Sequence, residues 1–131
     1  MNKITKIKFW LPAIFWMLII FSFSAHPAIQ TSQIDWQDFF LKKTAHFMEY
    51  AILTGLYIYA LKRTTHHTWS CIILFAICLS SLYALSDEFH QTFVPGREPR
   101  IRDVIIDITG SLSIGLFLLK KTGVDNTHYR V

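Results

Sequence analysis

The sequence predicts an all-α fold, a single-domain polytopic membrane protein built as a bundle of about four transmembrane helices, on three observations. Of its 131 residues 52% are hydrophobic and only 17% are charged, whereas a soluble domain of this size carries about a quarter charged residues to cover its core. The mean hydropathy is +0.33, and the apolar residues fall into long uninterrupted blocks, so lipid is the solvent expected for much of the surface. Finally, the Lys and Arg residues behind the formal net charge of +4 flank those blocks rather than forming one basic face. Flanking positive charge orients membrane helices and implies no nucleic-acid partner.

The first block, Phe9 to Ala25, is free of charge and follows Lys3, Lys6 and Lys8. Its length and bulk, with Trp10 and Trp16, favour an uncleaved anchor; a cleaved signal peptide ending at the small residues Ser22, Ser24 and Ala25 is the competing reading. Residues 31–43 then form a short polar and aromatic connection. Thr31 or Ser32 is placed to cap a turn of helix there, and Trp36, Phe39 and Phe40 suit a membrane interface. The second span is expected from Thr44 to Leu61, closed by Lys62 and Arg63. The third runs from Trp69 to Ser86, and the fourth from Val104 to Leu119, closed by Lys120 and Lys121. Cys71 and Cys78 lie in the third block, where reduced thiols in a helix interface are expected rather than a disulfide. On the fourth span Ser111 and Gly115 make one small-residue pair suited to close helix packing.

Eight Lys and Arg residues lie at the termini and in the 62–68 connection, against five in the other two connections. This count puts both termini in the cytoplasm and makes the protein a multi-pass component of the cell membrane.

Ionisable residues within hydrocarbon are costly, so each calls for a partner, a cavity or a function. His46 and Glu49 share a face of the second span, with Tyr50 beside them, and Glu49 lies about 9 Å beyond Lys43 along the helix. Asp103 and Asp107 share a face of the fourth. At the end of the third, Asp87, His90 and Gln91 project together, while Glu88 points about 100° away. Alternating spans bring all these groups to one membrane face, which the charge count makes extracytoplasmic. The Pro95-Gly96 pair is a turn signal that would swing Arg97 over the cluster.

Such a cluster is compatible with several chemistries. Carboxylates with imidazoles can hold a divalent metal, for which His46, Glu49, Asp87, Glu88 and His90 are the candidate ligands, although no HExxH or cysteine signature accompanies them. The same five are the candidate catalytic groups for acid-base or metal-assisted chemistry. Arg97, with His46 or His90, is suited to an anionic head group. A structural reading stands beside these, with His46–Glu49 as a hydrogen-bonded pair and Arg97 in an ion pair with Asp103 or Asp107. His66, His67 and His128 read as solvated loop residues.

Three segments carry a family resemblance: Lys43-Thr44-Ala45-His46-Phe47-Met48-Glu49-Tyr50, then Tyr83 through Arg97 with its core Asp87-Glu88-Phe89-His90-Gln91, then Asp103-Val104-Ile105-Ile106-Asp107. Together they resemble the VanZ-like family of small bacterial membrane proteins, over about residues 40 to 119, with Gly110 matching a glycine after the last motif. The resemblance implies a multi-pass cell-membrane protein. It makes Lys43, Tyr50, Gln91, Arg97, Asp103 and Asp107 candidate ligand-binding residues beside His46, Glu49, Asp87, Glu88 and His90. The family's namesake is associated with low-level resistance to the glycopeptide antibiotic teicoplanin. Three functional readings follow: binding of an envelope lipid or glycolipid head group; a membrane-embedded, metal-dependent hydrolase or transferase of envelope lipids; and a small proton-linked transporter or accessory subunit. The lipid bilayer is the one partner common to all three, and the oligomeric state is left open.

Overall fold

The computed structural model describes residues 3–26, 35–97 and 100–123. Those residues form four α-helices and no strand: α1 (Lys3–Ser24), α2 (Asp35–Thr64), α3 (Trp69–Gln91) and α4 (Ile101–Gly123). The all-α expectation is met. Two of the helices, over Lys6–Ser24 in α1 and Trp69–Gln91 in α3, are long and apolar enough to cross a membrane. In α2 and α4 ionisable and small polar residues break up the apolar stretch.

Every helix overruns its expected span. The second begins at Asp35 rather than Thr44, so Trp36, Phe39 and Phe40 stand on the first turns of α2, and all three are exposed. A polar stretch without Gly or Pro can remain helical when the apolar segment behind it supplies the packing. The expected caps Thr31 and Ser32 lie outside the described residues. The third helix continues through Asp87 to Gln91. Within α1, Pro12 removes one amide donor and leaves the Lys8 carbonyl without its helical partner.

Helix α2 packs against the other three, α4 packs on α2 and α3, and α1 lies against α2 and, more lightly, α3. The core where they meet contains Tyr50, Leu53, Ile58, Ile73, Ala76 and Ile20. Trp16 joins it by donating from Nε1 to the Glu49 carbonyl at 2.9 Å, and Tyr83 donates to the Met17 carbonyl at 2.7 Å. These bonds tie α1 to α2 and α3 at mid-height. The outer surface carries large apolar residues on every helix, including Phe15, Leu18, Leu74, Leu82, Leu116 and Phe117. Cys71 and Cys78 are free and exposed on that outer surface, contrary to the expected helix interface. The i to i+7 spacing puts them on one face of α3, but the apolar blocks cover that helix all round, so sequence alone did not distinguish its inner from its outer side.

Glycine decides where α4 can approach its neighbours. A Cβ on Gly110 would run into the backbone carbonyl of Phe47 on α2, and one on Gly115 would meet the Ile77 and Ile73 side chains of α3. The obstacle at Gly110 is main chain and cannot rotate aside, so the α2–α4 crossing depends on that glycine. At Gly55, inside α2, the space is open. Gly110→Ala is expected to lower stability by about 1–3 kcal/mol through overpacking, while Gly55→Ala raises it by about 0.5–1 kcal/mol through helix propensity. Thermal unfolding of the two variants in detergent should show shifts of opposite sign.

Candidate functional site

One polar seam runs between α2 and α4. At its end Lys43 Nζ meets Asp103 Oδ1 at 2.6 Å. One turn further in, His46 Nδ1 stands 3.3 Å from Asp107 Oδ1. The matching i to i+4 and i to i+3 spacings on two crossing helices place these pairs in register. Beyond them Tyr50 is fully buried, and Thr54 on the same face donates to Ser80 of α3 at 2.8 Å. Ser111 closes the α4 side by donating to the Asp107 carbonyl at 3.2 Å.

A second buried group forms where α1 and α3 end. Ser24 donates to Asp87 Oδ2 at 2.8 Å, and Gln91 Nε2 donates to Asp87 Oδ2 at 3.0 Å and to Ser24 Oγ at 2.7 Å. Of the three residues expected to project together, Asp87 and Gln91 therefore do so. His90 leaves that group, its ring packed 4.6 Å, centroid to centroid, from Phe21. Glu88, expected to point away, is also buried, and its carboxylate accepts from the Arg100 amide just before α4. An acid at a helix N-terminus satisfies an orphan amide and complements the helix dipole.

Between α3 and α4, Val94-Pro95-Gly96-Arg97 is a turn closed by the Arg97 amide on the Val94 carbonyl, with Gly96 at φ +78°. Proline at the second position and a positive φ at the third make it type II, as the Pro-Gly pair predicts. The turn does deliver Arg97 toward the cluster, but its guanidinium caps α1: Nη2 donates to the Phe23 carbonyl at 2.8 Å and Nε to the His26 carbonyl at 3.1 Å. The expected ion pair of Arg97 with Asp103 or Asp107 is not formed. Asp103 has Lys43, with Arg102 Nε at 3.8 Å, and Asp107 has His46. Backbone carbonyls at a helix end carry partial negative charge, which suffices to hold a guanidinium.

The two groups are electrostatically one site. Glu49 feels His46, Asp107, Asp87 and Arg97; Tyr50 feels Asp87, Asp107 and Glu49; Asp107 feels both Asp87 and Asp103. Glu88 is within the same reach of Asp103, Asp107 and His46. So Glu49, Asp87, Glu88, Asp103, Asp107 and His46 are linked by electrostatic interactions at one end of the bundle, while His90 packs against Phe21. Among the described residues no three His, Cys, Asp or Glu side chains gather as a metal ion would require. Sequence reasoning overlooked Ser24, Thr54 and Ser80. Their signal was a small hydroxyl residue in an apolar helix, too common to single out. It also overlooked the capping roles of Arg97 and Glu88.

These features define a class: an all-α bundle with apolar sides and a buried, carboxylate-rich polar cluster at one end. Residues 9–121 match the VanZ/LLP1 family, and the chain belongs to that family. No curated protein and no solved structure matches the chain.

Two expected outcomes test the geometry. A double-mutant cycle of His46→Ala and Asp107→Asn should give a coupling of about 1 kcal/mol or more, as for residues sharing one buried interaction. Arg97→Ala should raise amide exchange over the last turn of α1, with a loss of about 1 kcal/mol, and Gly96→Ala should reproduce that pattern by straining the turn that presents Arg97.

Proposed function

We propose that this chain is a four-span membrane protein whose polar cluster lies at the extracytoplasmic end and binds the head group of an envelope lipid or glycolipid. Exposed apolar side chains on all four helices support the span assignment, because soluble proteins seldom leave so much contiguous apolar surface bare. The ionisable residues of α2 and α4 face each other, which lets helices of modest hydropathy lie in lipid. Cation-aromatic contacts mark both ends. At one, Lys62 lies over Trp69 and Arg63 over Phe9 and Tyr59; at the other, Lys43 and Arg102 lie over Phe39. Such belts suit the two interfaces of a bilayer. The integration of α1 through Trp16, Ser24 and the Arg97 cap supports a retained anchor over a cleaved signal peptide.

The observation that carries the binding role is the placement of Glu49, Asp87, Asp107, His46 and Tyr50, from three helices, near one end of the bundle, with Tyr50 Oη and Asp87 Oδ1 buried and lacking a protein partner. Buried polar groups are normally satisfied, and those left over suit a ligand. The site's acids and imidazole divide among separate partners instead of meeting at one point, which supports binding over metal-assisted hydrolysis or transfer. Occupying an envelope head group would change the cell surface, and lowered susceptibility to glycopeptides such as teicoplanin, the trait linked to the family's namesake, is the expected phenotype.

Two measurements test this. Cysteines introduced at His66 and Phe93 should label from opposite sides of the membrane, with His66→Cys reached from the cytoplasm; labelling from one side would overturn the topology. Glu49→Gln should purify folded yet carry about tenfold less tightly bound lipid than the wild type, the scale of one lost charge-assisted hydrogen bond. Equal lipid content in both would overturn the binding role.

A further inference from the structure

Tyr50, Asp87 and Asp107 are the most deeply buried ionisable members of the cluster, at 0%, 4% and 1% exposure. Tyr50 Oη and Asp87 Oδ1 have no hydrogen-bond partner, and Asp107 Oδ1 has only His46 Nδ1, at 3.3 Å. They come from α2, α3 and α4 and lie within electrostatic reach of one another. Two unpartnered oxygens and a third held by one long contact, from three helices, amount to an acceptor set that can take a further donor.

The charge balance gives that donor a sign. The nearby cations are committed elsewhere: Lys43 to Asp103, and Arg97 to the carbonyls that end α1. His46 pairs with Asp107, and Asp87 is held by the neutral donors Ser24 and Gln91, so the acids outnumber the cations committed to them. An anionic group would add to this excess, whereas a cationic one would relieve it. A bare metal ion needs its ligands within about 2.0–2.6 Å, a convergence that no three acids or imidazoles of the described residues provide. An ammonium group reaches acceptors about 2.8 Å away in three directions.

We propose that the inner part of the cluster, formed by Tyr50, Asp87 and Asp107 with Glu49 and His46 at its outer edge, binds a primary ammonium group. This rests on the head-group reading and narrows it, replacing the anionic head group expected from Arg97 with an amine-bearing one. A quaternary ammonium has no N–H to give the three oxygens and is disfavoured; a primary one has three. The same chemistry is presented by an ethanolamine phospholipid and by a free amine.

The test is native mass spectrometry of the full chain in detergent with phosphatidylethanolamine, phosphatidylcholine and phosphatidylglycerol of identical acyl chains, and separately with ethanolamine. Phosphatidylethanolamine is expected to be retained about tenfold over the other two, the scale of a charge-assisted hydrogen bond. Retention of all three lipids alike would overturn the ammonium assignment and leave head-group binding standing. Ethanolamine bound with no lipid retained would uphold the ammonium site and overturn the lipid reading, and no binding of any probe would overturn both. Tyr50→Phe supplies the second arm, because its hydroxyl has no protein partner and its removal should leave the unfolding temperature unchanged. A folded Tyr50→Phe protein is expected to lose most of the preference; full preference would overturn the site.

Discussion

A carboxylate taken out of water into an apolar bundle must be met by a partner, and the rest of this structure is arranged around that requirement. Five acids and a histidine lie near one end of the four helices, and four of the acids are placed to answer it. Asp103 draws Lys43, Asp107 draws His46, Asp87 collects Ser24 and Gln91, and Glu88 takes the amide ahead of α4. Because these partners sit on different helices, pairing the charges also sets which helices are neighbours and at what register. The α2–α4 seam can close only where Gly110 lets the Phe47 backbone approach, so a packing residue and an electrostatic one depend on each other.

The connection between α3 and α4 serves the same end. Its type II turn projects Arg97 onto the carbonyls that finish α1, while Glu88, just before the turn, holds the start of α4. Two helix termini that would otherwise leave backbone groups unsatisfied are thereby capped by charges from a neighbouring element. A single short segment links α1, α3 and α4 at the end where the polar cluster lies. Arg97 therefore fixes the end of α1 against the connection between α3 and α4.

The apolar exterior and the polar interior are complementary aspects of the same composition. With few charged residues to distribute, the chain concentrates them inside one end and at the helix tips, leaving aliphatic and aromatic side chains to face outward. Helices α2 and α4, less hydrophobic than α1 and α3, are the two that face each other across the seam. Their low hydropathy thus marks the polar seam between them.

The pattern of apolar blocks alone determined that the chain is helical and has four principal segments, because an apolar run of this length has few other ways to satisfy its backbone. Motif spacing alone brought Lys43, His46, Glu49, Asp103 and Asp107 onto facing helix sides, since positions three and four apart must share a face. Tertiary structure decided the partners. That Arg97 would take carbonyls over carboxylates, that Glu88 would turn inward to cap α4, that His90 would leave the cluster for Phe21, and that Cys71 and Cys78 would face outward all depend on the rotation of each helix about its own axis. In a helix apolar on all sides no periodicity records that rotation, and it is set only when Gly110, Ser24 and Trp16 find their neighbours in the packed bundle.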